Sequence, residues 1–240
     1  MTYCLAIKLD DAIVYLSDSR TNAGVDQLST YSKMYRWGAD GDRQFVLLSA
    51  GNLATTQSVV TRIRRDLADD AEVSLNTVRY MSDAADYLGR LSVEERTRYA
   101  DDQANAGFNP EATFILGGQI KGEAPELYLI YPQGNYISAS SIRPHLQIGE
   151  IKYGKPILDR IVRPETDVDA AVRCALVSMD STLRSNATVG PPIELAVYSN
   201  GSLGQGFYRC YRPDDEPQLE FRRAWSDKMG QAFSELSSLN

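Results

Sequence analysis

The sequence predicts an α+β fold, a four-layer α-β-β-α sandwich in which two antiparallel sheets stack face to face and a helix pair covers each outer side. Segments with strand character and segments with helix character come in runs, in the order strands, two helices, strands, two helices, strands. Such runs favour this architecture over the parallel sheet that strict β-α-β alternation predicts. The chain has no linker rich in proline, glycine or serine and no internal repeat. We therefore expect residues 2–240 to form a single domain.

The first third of the chain is predicted to be rich in strands. Apolar residues, alternating or continuous, define four short segments, and turn residues separate them. The predicted strands are Tyr3–Leu9, Ala12–Leu16, Tyr31–Trp37 and Gln44–Ser49. Asp10-Asp11 predicts a tight hairpin between the first two strands, and residues 38–42 predict a turn between the last two.

Two predicted helices follow, one beginning near Gly51 and one near Ser74. Both carry apolar residues at helical spacing. These residues are Val60, Ile63 and Leu67 in the first helix, and Leu75, Val78, Met81, Ala85, Leu88 and Leu91 in the second. Residues 92–95 have the form of a capping box, which predicts a break or a fresh helix start there. The helical block is expected to close at Asn109-Pro110.

The second half of the chain repeats this order. A strand meander, two helices, two strands and a short terminal helix are predicted from the same patterns. The strands are Ala112–Leu116, Glu126–Tyr131, Tyr136–Ser140, Ile193–Val197 and Phe207–Tyr211, and the helices are Lys155–Val162, Asp167–Ser185 and Ser226–Leu239.

Charge and composition exclude several classes of function. The net charge is −7, so the chain has no basic excess for binding a nucleic acid backbone. The chain contains no stretch of about 20 apolar residues, so no membrane span is expected, and no signal peptide is recognisable. The three cysteines lie far apart and form no C-x-x-C motif, which is typical of a protein from a reducing compartment. We expect a cytoplasmic protein that binds neither nucleic acid nor membrane.

The single histidine excludes further kinds of metal and catalytic site. His145 alone cannot build a zinc site with several histidines, and it is interpreted as a structural residue. No phosphate-binding G-x-x-x-x-G-K-[ST] loop and no G-x-S-x-G motif is present. We expect no metal and no cofactor, and a hydrolase built on this chain would work without histidine.

The N-terminus could supply a nucleophile and a base for hydrolysis without histidine. Thr2 is a small residue directly after Met1, and small second residues permit removal of the initiator methionine. Removal would place a hydroxyl and a free α-amine on one residue. An α-amine has a pKa of about 7.7–8.0, which suits a general base, and a terminal amine is known to activate a threonine nucleophile.

Further residues join Thr2 in a recognisable pattern. Asp18-Ser19-Arg20 follows the second predicted strand, Lys33 lies in the third, and Ser49-Ala50-Gly51-Asn52 joins a strand to a helix. Together they resemble the proteasome-type N-terminal nucleophile hydrolases, over nearly the whole chain. The segments SDSRTNAGVDQ and SNATVGPPIEL are similar to the bacterial Anbu (ancestral beta subunit) branch of that family. The resemblance implies the N-terminal nucleophile hydrolase fold, which is a sandwich of the predicted kind.

The resemblance also implies roles for particular residues. Thr2 is expected to be the nucleophile, with its freed amine accepting the proton through a water molecule. Lys33 would stabilise the threonine alkoxide, Asp18 would fix Lys33 by pairing with it, and the N–H of Gly51 would stabilise the oxyanion. Arg20 is expected to support this group.

Other positions match the family pattern with differences. Glu150 stands where the family has a serine in a Gly-Ser-Gly turn, and Ser185 lies in a segment that lacks the family's aspartate. We expect both to support the site. The spacing from Thr2 to Lys33 is one residue shorter than is common in the family, which implies a bulge or a slipped loop. By analogy, Thr21, Tyr35, Ser49 and Leu53 would line the substrate pocket.

Three functions remain open at this point. The first is a threonine-type peptidase in a self-compartmentalising homo-oligomer, a ring or ring-like stack, whose ATPase partner, if it has one, is unknown. The second is a small-molecule amidase of the same fold, which a deep closed pocket would favour. The third is a non-catalytic ring-forming scaffold in which Met1 is retained, because acylation of the amine removes the general base.

Overall fold

The computed structural model describes residues 1–22, 28–98 and 109–237. Two five-stranded antiparallel sheets form the centre of the molecule. The strands in chain order are β1 (Tyr3–Lys8), β2 (Ala12–Asp18), β3 (Arg20–Asn22), β4 (Leu28–Thr30), β5 (Met34–Ala39), β6 (Arg43–Gly51), β7 (Ala112–Ile120), β8 (Glu126–Ile130), β9 (Tyr136–Ser138), β10 (His145–Gly149), β11 (Ile193–Ser199) and β12 (Phe207–Tyr211). The helices are α1 (Leu53–Ala68), α2 (Met81–Thr97), α3 (Ile151–Ile161), α4 (Val168–Ser185) and α5 (Glu216–Ser234).

The predicted four-layer sandwich is confirmed. The first sheet has the order β10-β1-β2-β11-β12 and the second has the order β5-β6-β7-β8-β9, while β3 and β4 form a separate hairpin. Buried side chains such as Cys4, Tyr15, Leu48 and Ile115 pack between the two sheets. Each sheet therefore buries one face against the other sheet and its second face against helices.

The helices form the outer layers in two pairs. Helices α1 and α2 cover the second sheet through residues such as Ile63 and Leu88, which pack against Leu47 and Phe114. Helices α3 and α4 cover the first sheet in the same way. Helix α5 adds to the α4 side, where Arg222 binds the buried carboxylate of Asp180 at 2.5 Å.

Several predicted boundaries are wrong, most clearly at α2. The helix begins at Met81 rather than Ser74, although Leu75 and Val78 are buried in the core as predicted. The Arg43 guanidinium donates to the carbonyl oxygens of both residues at 3.1 and 2.9 Å, and these bonds hold the segment in turns. Side chain to backbone bonds of this kind compete with helix formation.

The predicted break within α2 does not occur. Ser92 is buried inside a continuous helix that runs to Thr97, so its side chain packs instead of capping. Tertiary burial overrides the local signal here.

The other differences concern the ends of elements. Strand β5 begins at Met34, so Lys33 lies just before it, and α3 begins at Ile151 rather than Lys155. The hairpin of β3 and β4 and the strand β10, which starts at His145, were not predicted. Helix α5 begins at Glu216 instead of Ser226, and the predicted end at Leu239 lies outside the described residues.

Candidate active site

A buried ion pair between Asp18 and Lys33 lies at the end of the first sheet. Asp18 is the last residue of β2, and Lys33 reaches it from the segment before β5 with a distance of 2.7 Å between Nζ and Oδ1. The same ammonium donates to the carbonyl oxygen of Arg20 at 2.7 Å. Both side chains are buried, so the Lys33 charge is held in one place.

Asp18 is held by two backbone donors as well. The N–H of Tyr3 donates to Oδ1 at 3.0 Å and the N–H of Gly190 donates to Oδ2 at 3.1 Å. Burial raises the pKa of Asp18, while the Lys33 charge and these hydrogen bonds oppose that shift. Through Asp18, Lys33 is thereby connected to β2, to Tyr3 in β1 and to the segment that contains Gly190.

Thr2 lies directly beside this ion pair. Its carbonyl oxygen accepts a hydrogen bond of 2.8 Å from the N–H of Glu150, and the carbonyl oxygen of Met1 lies 3.5 Å from Lys33 Nζ. Gly149 has a φ of +82° and packs so closely that a Cβ there would lie 1.9 Å from the Thr2 oxygen. Only glycine fits this position, and the close contact fixes the backbone of Thr2.

Thr2 opens into a cleft of about 480 Å³. The cleft lining brings together seven of the residues predicted from the sequence, namely Thr2, Thr21, Lys33, Ser49, Gly51, Leu53 and Glu150. Tyr35, expected in the same pocket, lines a neighbouring cavity with Trp37 and Arg64 instead. The two cavities meet at Ser32, which lines both.

The turn from β6 into α1 forms one wall of the cleft. Gly51 ends β6 with a φ of +106°, and a Cβ at this position would lie 2.4 Å from the carbonyl oxygen of Glu111. Asn52 caps α1 by accepting a hydrogen bond of 3.2 Å from the N–H of Thr55. The positive end of the helix dipole therefore points toward the cleft, where it favours negative charge.

Glu150 extends its carboxylate into the same cleft. Its side chain is 13% exposed, and its Oε2 atom is buried without a hydrogen-bond donor in the described part of the chain. The nearest cation is Lys152, with Nζ at 3.7 Å. A carboxylate oxygen in this state has capacity for another donor.

Two of the expected supporting residues lie outside the cleft. The Arg20 guanidinium binds the carbonyl oxygen of Ala187 at 2.7 Å, so only its backbone oxygen reaches Lys33. Ser185 is the exposed last residue of α4 and does not line the cleft. His145 is also remote from the cleft lining, and it binds Asp159 at 3.2 Å as a structural histidine would.

The electrostatics at the chain start favour a neutral amine. The pKa of the Met1 α-amine lies below its ordinary value of 8.0, mainly because of burial and then because of the Lys33 charge. The Asp18 and Glu150 charges act in the opposite direction. Met1, Thr2 and Lys33 all line the same cleft.

Comparison with known proteins identifies the family. The model of the proteasome family, described as the proteasome subunit, matches residues 2–198. The chain belongs to the proteasome family. A comparison with curated protein sequences finds no match.

Solved structures of this family agree with the assignment. Anbu (ancestral beta-subunit) from Yersinia bercovieri matches at 42% identity and a TM-score of 0.94, covering 99% of this chain and 98% of that chain. Anbu from Hyphomicrobium sp. strain MC1 matches at 43% identity and a TM-score of 0.90, covering 99% of both. The helical assembly of the Anbu complex from Pseudomonas aeruginosa matches at 42% identity and a TM-score of 0.95, covering 99% and 98%. The predicted resemblance to the Anbu branch and the N-terminal nucleophile hydrolase fold are confirmed.

The proteasome-family pattern did not predict everything that holds the site. Sequence reasoning missed the backbone donors of Tyr3 and Gly190 and the carbonyl oxygen of Arg20, because backbone groups have no residue signature. Gly149 and Gly190 were the residues in the sequence that could have indicated these backbone contacts, since glycine is typical of places where two backbone segments approach closely. Within the described residues, no group of three or more metal-binding side chains and no helix able to cross a membrane is found.

Proposed function

We propose that this proteasome-family chain hydrolyses peptide or amide bonds with Thr2 as an N-terminal nucleophile, after removal of Met1 has freed its amine. The Lys33–Asp18 ion pair carries the proposal, because its ammonium is buried, fixed and only 3.5 Å from the carbonyl that precedes Thr2. Such a cation supports ionisation of a nearby hydroxyl without any histidine.

The proposed reaction begins with a proton transfer. The neutral Thr2 amine accepts the hydroxyl proton through a water molecule while Oγ attacks the carbonyl carbon of the substrate. The C–N bond then breaks, the proton leaves on the amine product, and an acyl ester remains on Thr2. A second water hydrolyses the ester and restores the hydroxyl. Lys33 would stabilise the charge on Oγ, and the Gly51 N–H at the start of α1 would stabilise the oxyanion.

Glu150 has a proposed role at the freed amine. The Oε2 atom accepts no hydrogen bond in the described residues, the Glu150 N–H donates to the Thr2 carbonyl at 2.8 Å, and the Glu150 charge acts on the Met1 amine. A free amine on Thr2 would supply the donor that this oxygen lacks. We therefore propose that Glu150 orients the amine, as a substitute for the serine of the family pattern.

We further propose that the chain works as a homo-oligomer, a ring or ring-like stack, that encloses the cleft. The related Anbu from Pseudomonas aeruginosa forms a helical assembly, which supports self-association of this chain. We place this activity in the cytoplasm, because the three cysteines are free thiols, as a reducing compartment keeps them.

A scaffold that retains Met1 is the second candidate. It is favoured by one observation: the Met1 carbonyl accepts from Lys33, so the site accommodates Met1. Intact mass of the purified protein decides between the two states. Full retention of Met1 contradicts the enzyme proposal for that preparation.

The enzyme proposal is tested on protein that lacks Met1. A threonine-directed peptide epoxyketone should form an adduct with the wild type and with Thr2→Ser, but not with Thr2→Ala. Lys33→Met should slow the labelling about 10²–10³-fold, since it removes the charge that stabilises the developing anion. Lys33→Arg, which keeps the charge, is the matched control, and circular dichroism checks that each variant folds. Absence of labelling in processed wild type contradicts a peptidase site, and hydrolysis of small amides alone would indicate the amidase.

A further inference from the structure

Glu194 is a buried carboxylate that lies beside the ion pair and outside the cleft lining. It is the second residue of β11 and is 6% exposed. Three hydroxyl groups donate to it: Ser32 Oγ at 2.8 Å and Ser19 Oγ at 3.2 Å to Oε2, and the Tyr208 hydroxyl at 2.7 Å to Oε1. Burying a charge is costly unless donors of this kind surround it. The three hydroxyl groups therefore form a hydrogen-bond network that stabilises the buried Glu194 carboxylate.

The two serines in this network are chain neighbours of the ion pair. Ser19 follows Asp18 and precedes Arg20, whose carbonyl oxygen binds Lys33 at 2.7 Å. Ser32 directly precedes Lys33. One carboxylate on β11 therefore binds both chain segments from which the ion pair is made.

Ser32 lies in a segment, residues 31–33, that belongs to no strand or helix. Other hydrogen bonds hold this segment as well. The N–H of Tyr31 donates to the Ser19 carbonyl and the N–H of Ser49 to the Lys33 carbonyl, both at 3.0 Å, and the Tyr35 hydroxyl donates to the Ser32 carbonyl at 2.9 Å. The Ser32 hydroxyl has a single proton, and both Glu194 Oε2 and the Met34 carbonyl lie 2.8 Å away. A carboxylate is the stronger acceptor, so the hydroxyl is directed to Glu194.

We propose that Glu194 is a positioning residue for Lys33. By holding Ser32 and Ser19 together, it sets where the Lys33 side chain begins and keeps its ammonium on Asp18 and toward Thr2. The consequence for catalysis rests on the proposed function, whereas the placement of Lys33 is a property of the fold. A misplacement of about 1 Å in a catalytic group costs about 10²-fold in rate.

The kinetic test compares variants of the network in Met1-free protein. Glu194→Ala should lower the saturating rate of epoxyketone labelling by about ten- to hundredfold, with little change in the half-saturating concentration. Ser32→Ala should reproduce most of this loss, and the double variant should add no more than about twofold, because both changes break one interaction. Glu194→Gln keeps the shape and one acceptor oxygen and should restore most of the rate. Tyr208→Phe is the control, since it removes the donor that lies on neither ion-pair segment.

A second readout does not depend on activity. Acetylation of the Lys33 amine by acetic anhydride, followed by mass spectrometry, measures how firmly the ion pair is held. It should be several-fold faster in Glu194→Ala and Ser32→Ala than in the wild type and in Tyr208→Phe. Should Glu194→Ala not fold, Ser32→Ala takes its place in both measurements.

The labelling rate and the Lys33 acetylation rate together distinguish a failure of the positioning role of Glu194 from a failure of the proposed hydrolase function. If processed wild type does not label but Lys33 reactivity rises in the variants, the proposed function fails and the positioning role stands. Unchanged labelling rates and unchanged Lys33 reactivity in folded Glu194→Ala or Ser32→Ala overturn the inference.

Discussion

Asp18 is a buried carboxylate, and its charge needs hydrogen-bond donors inside the protein. It is fully buried, and one ammonium and two backbone N–H groups provide its hydrogen bonds. Removing one partner of a buried ion pair generally costs about 3–5 kcal/mol, because the other charge is left without compensation. Replacing either Asp18 or Lys33 alone is therefore expected to destabilise the fold as well as to impair the proposed chemistry.

The freed amine of Thr2 is expected to titrate below pH 8. Burial and the Lys33 charge lower the pKa of the Met1 amine by more than the Asp18 and Glu150 charges raise it. In processed protein the amine lies one residue nearer to Lys33, and we expect the same net direction. A lowered pKa means that the neutral base dominates at lower pH, so labelling should rise with pH and level off before pH 8. Lys33→Gln should raise the amine pKa, because it removes a positive charge that disfavours protonation.

The pKa is measured without relying on activity. The rate of N-terminal acetylation by acetic anhydride, followed by mass spectrometry from pH 5 to about pH 10, reports the neutral fraction of the amine. Lys121→Gln, in an exposed turn, is the control for a lost charge far from the site. An amine pKa at or above its ordinary value, or one that is equal in Lys33→Gln and wild type, contradicts this expectation.

At this scale, the sequence predicts side chains better than backbone groups. Asp18, Lys33 and Gly51 were predicted from the resemblance to the proteasome family, and the structure pairs Asp18 with Lys33 and places Lys33 and Gly51 in one cleft. The donors that fix Asp18 were not predictable, because the N–H of Gly190 reaches it only through folding of a segment 172 positions away. Tyr35 lines the neighbouring cavity, and its hydroxyl donates to the carbonyl of Ser32, which lines the cleft as well.

At the level of elements, the junction between β10 and α3 sets the position of Thr2. Gly149 closes β10 in the left-handed region, and its contact with the Thr2 carbonyl leaves no room for a side chain. Gly149→Ala should therefore destabilise the fold by about 1–3 kcal/mol from strained backbone alone, with more from the clash. It should also shift Thr2 and reduce labelling.

Gly122 provides a matched control for this substitution. Its φ is +86°, close to that of Gly149, but no atom lies within 4 Å of a Cβ built there. Gly122→Ala therefore reports the cost of the backbone conformation without the contact. Urea unfolding and the labelling rate are measured for both. Equal losses of stability and unchanged labelling in Gly149→Ala would show that the contact with Thr2 is not important.

Element boundaries were predictable where local signals and tertiary packing agree. Helix α4 begins and ends within one residue of its prediction, because Asp167 caps it and its apolar face meets the first sheet. Helix α2 was extended wrongly to Ser74, since Leu75 and Val78 are buried whether or not the backbone is helical. Strand β10 was missed because only two of its five residues, Leu146 and Ile148, are apolar, which is too weak a pattern to predict a strand.

At the scale of the whole molecule, the order of elements was sufficient to predict four layers, because only a few arrangements bury all the apolar faces. It was not sufficient to predict that α5 extends away from the body of the protein. Residues 227–237 are all exposed, and the helix is anchored at its first half through Arg222 and Asp180. Met229 and Phe233, one turn apart on α5, and Leu236, just after the helix ends, are apolar side chains on this exposed part, at 49%, 77% and 71% exposure.

The exposed apolar residues Met229, Phe233 and Leu236 are expected to pack against a second copy of the chain in the proposed homo-oligomer. Neighbouring exposed apolar side chains are typical of contact surfaces, and the related Anbu complex from Pseudomonas aeruginosa assembles helically. Phe233→Glu should shift the protein to smaller species in light scattering at constant concentration, because a carboxylate is costly to bury. Gln231→Glu adds the same charge on the opposite face of α5, because residues two positions apart in a helix point to opposite sides, and should leave the mass unchanged. A mass that is equal in all three proteins would assign self-association to another surface, while loss of assembly in both variants would indicate general charge repulsion.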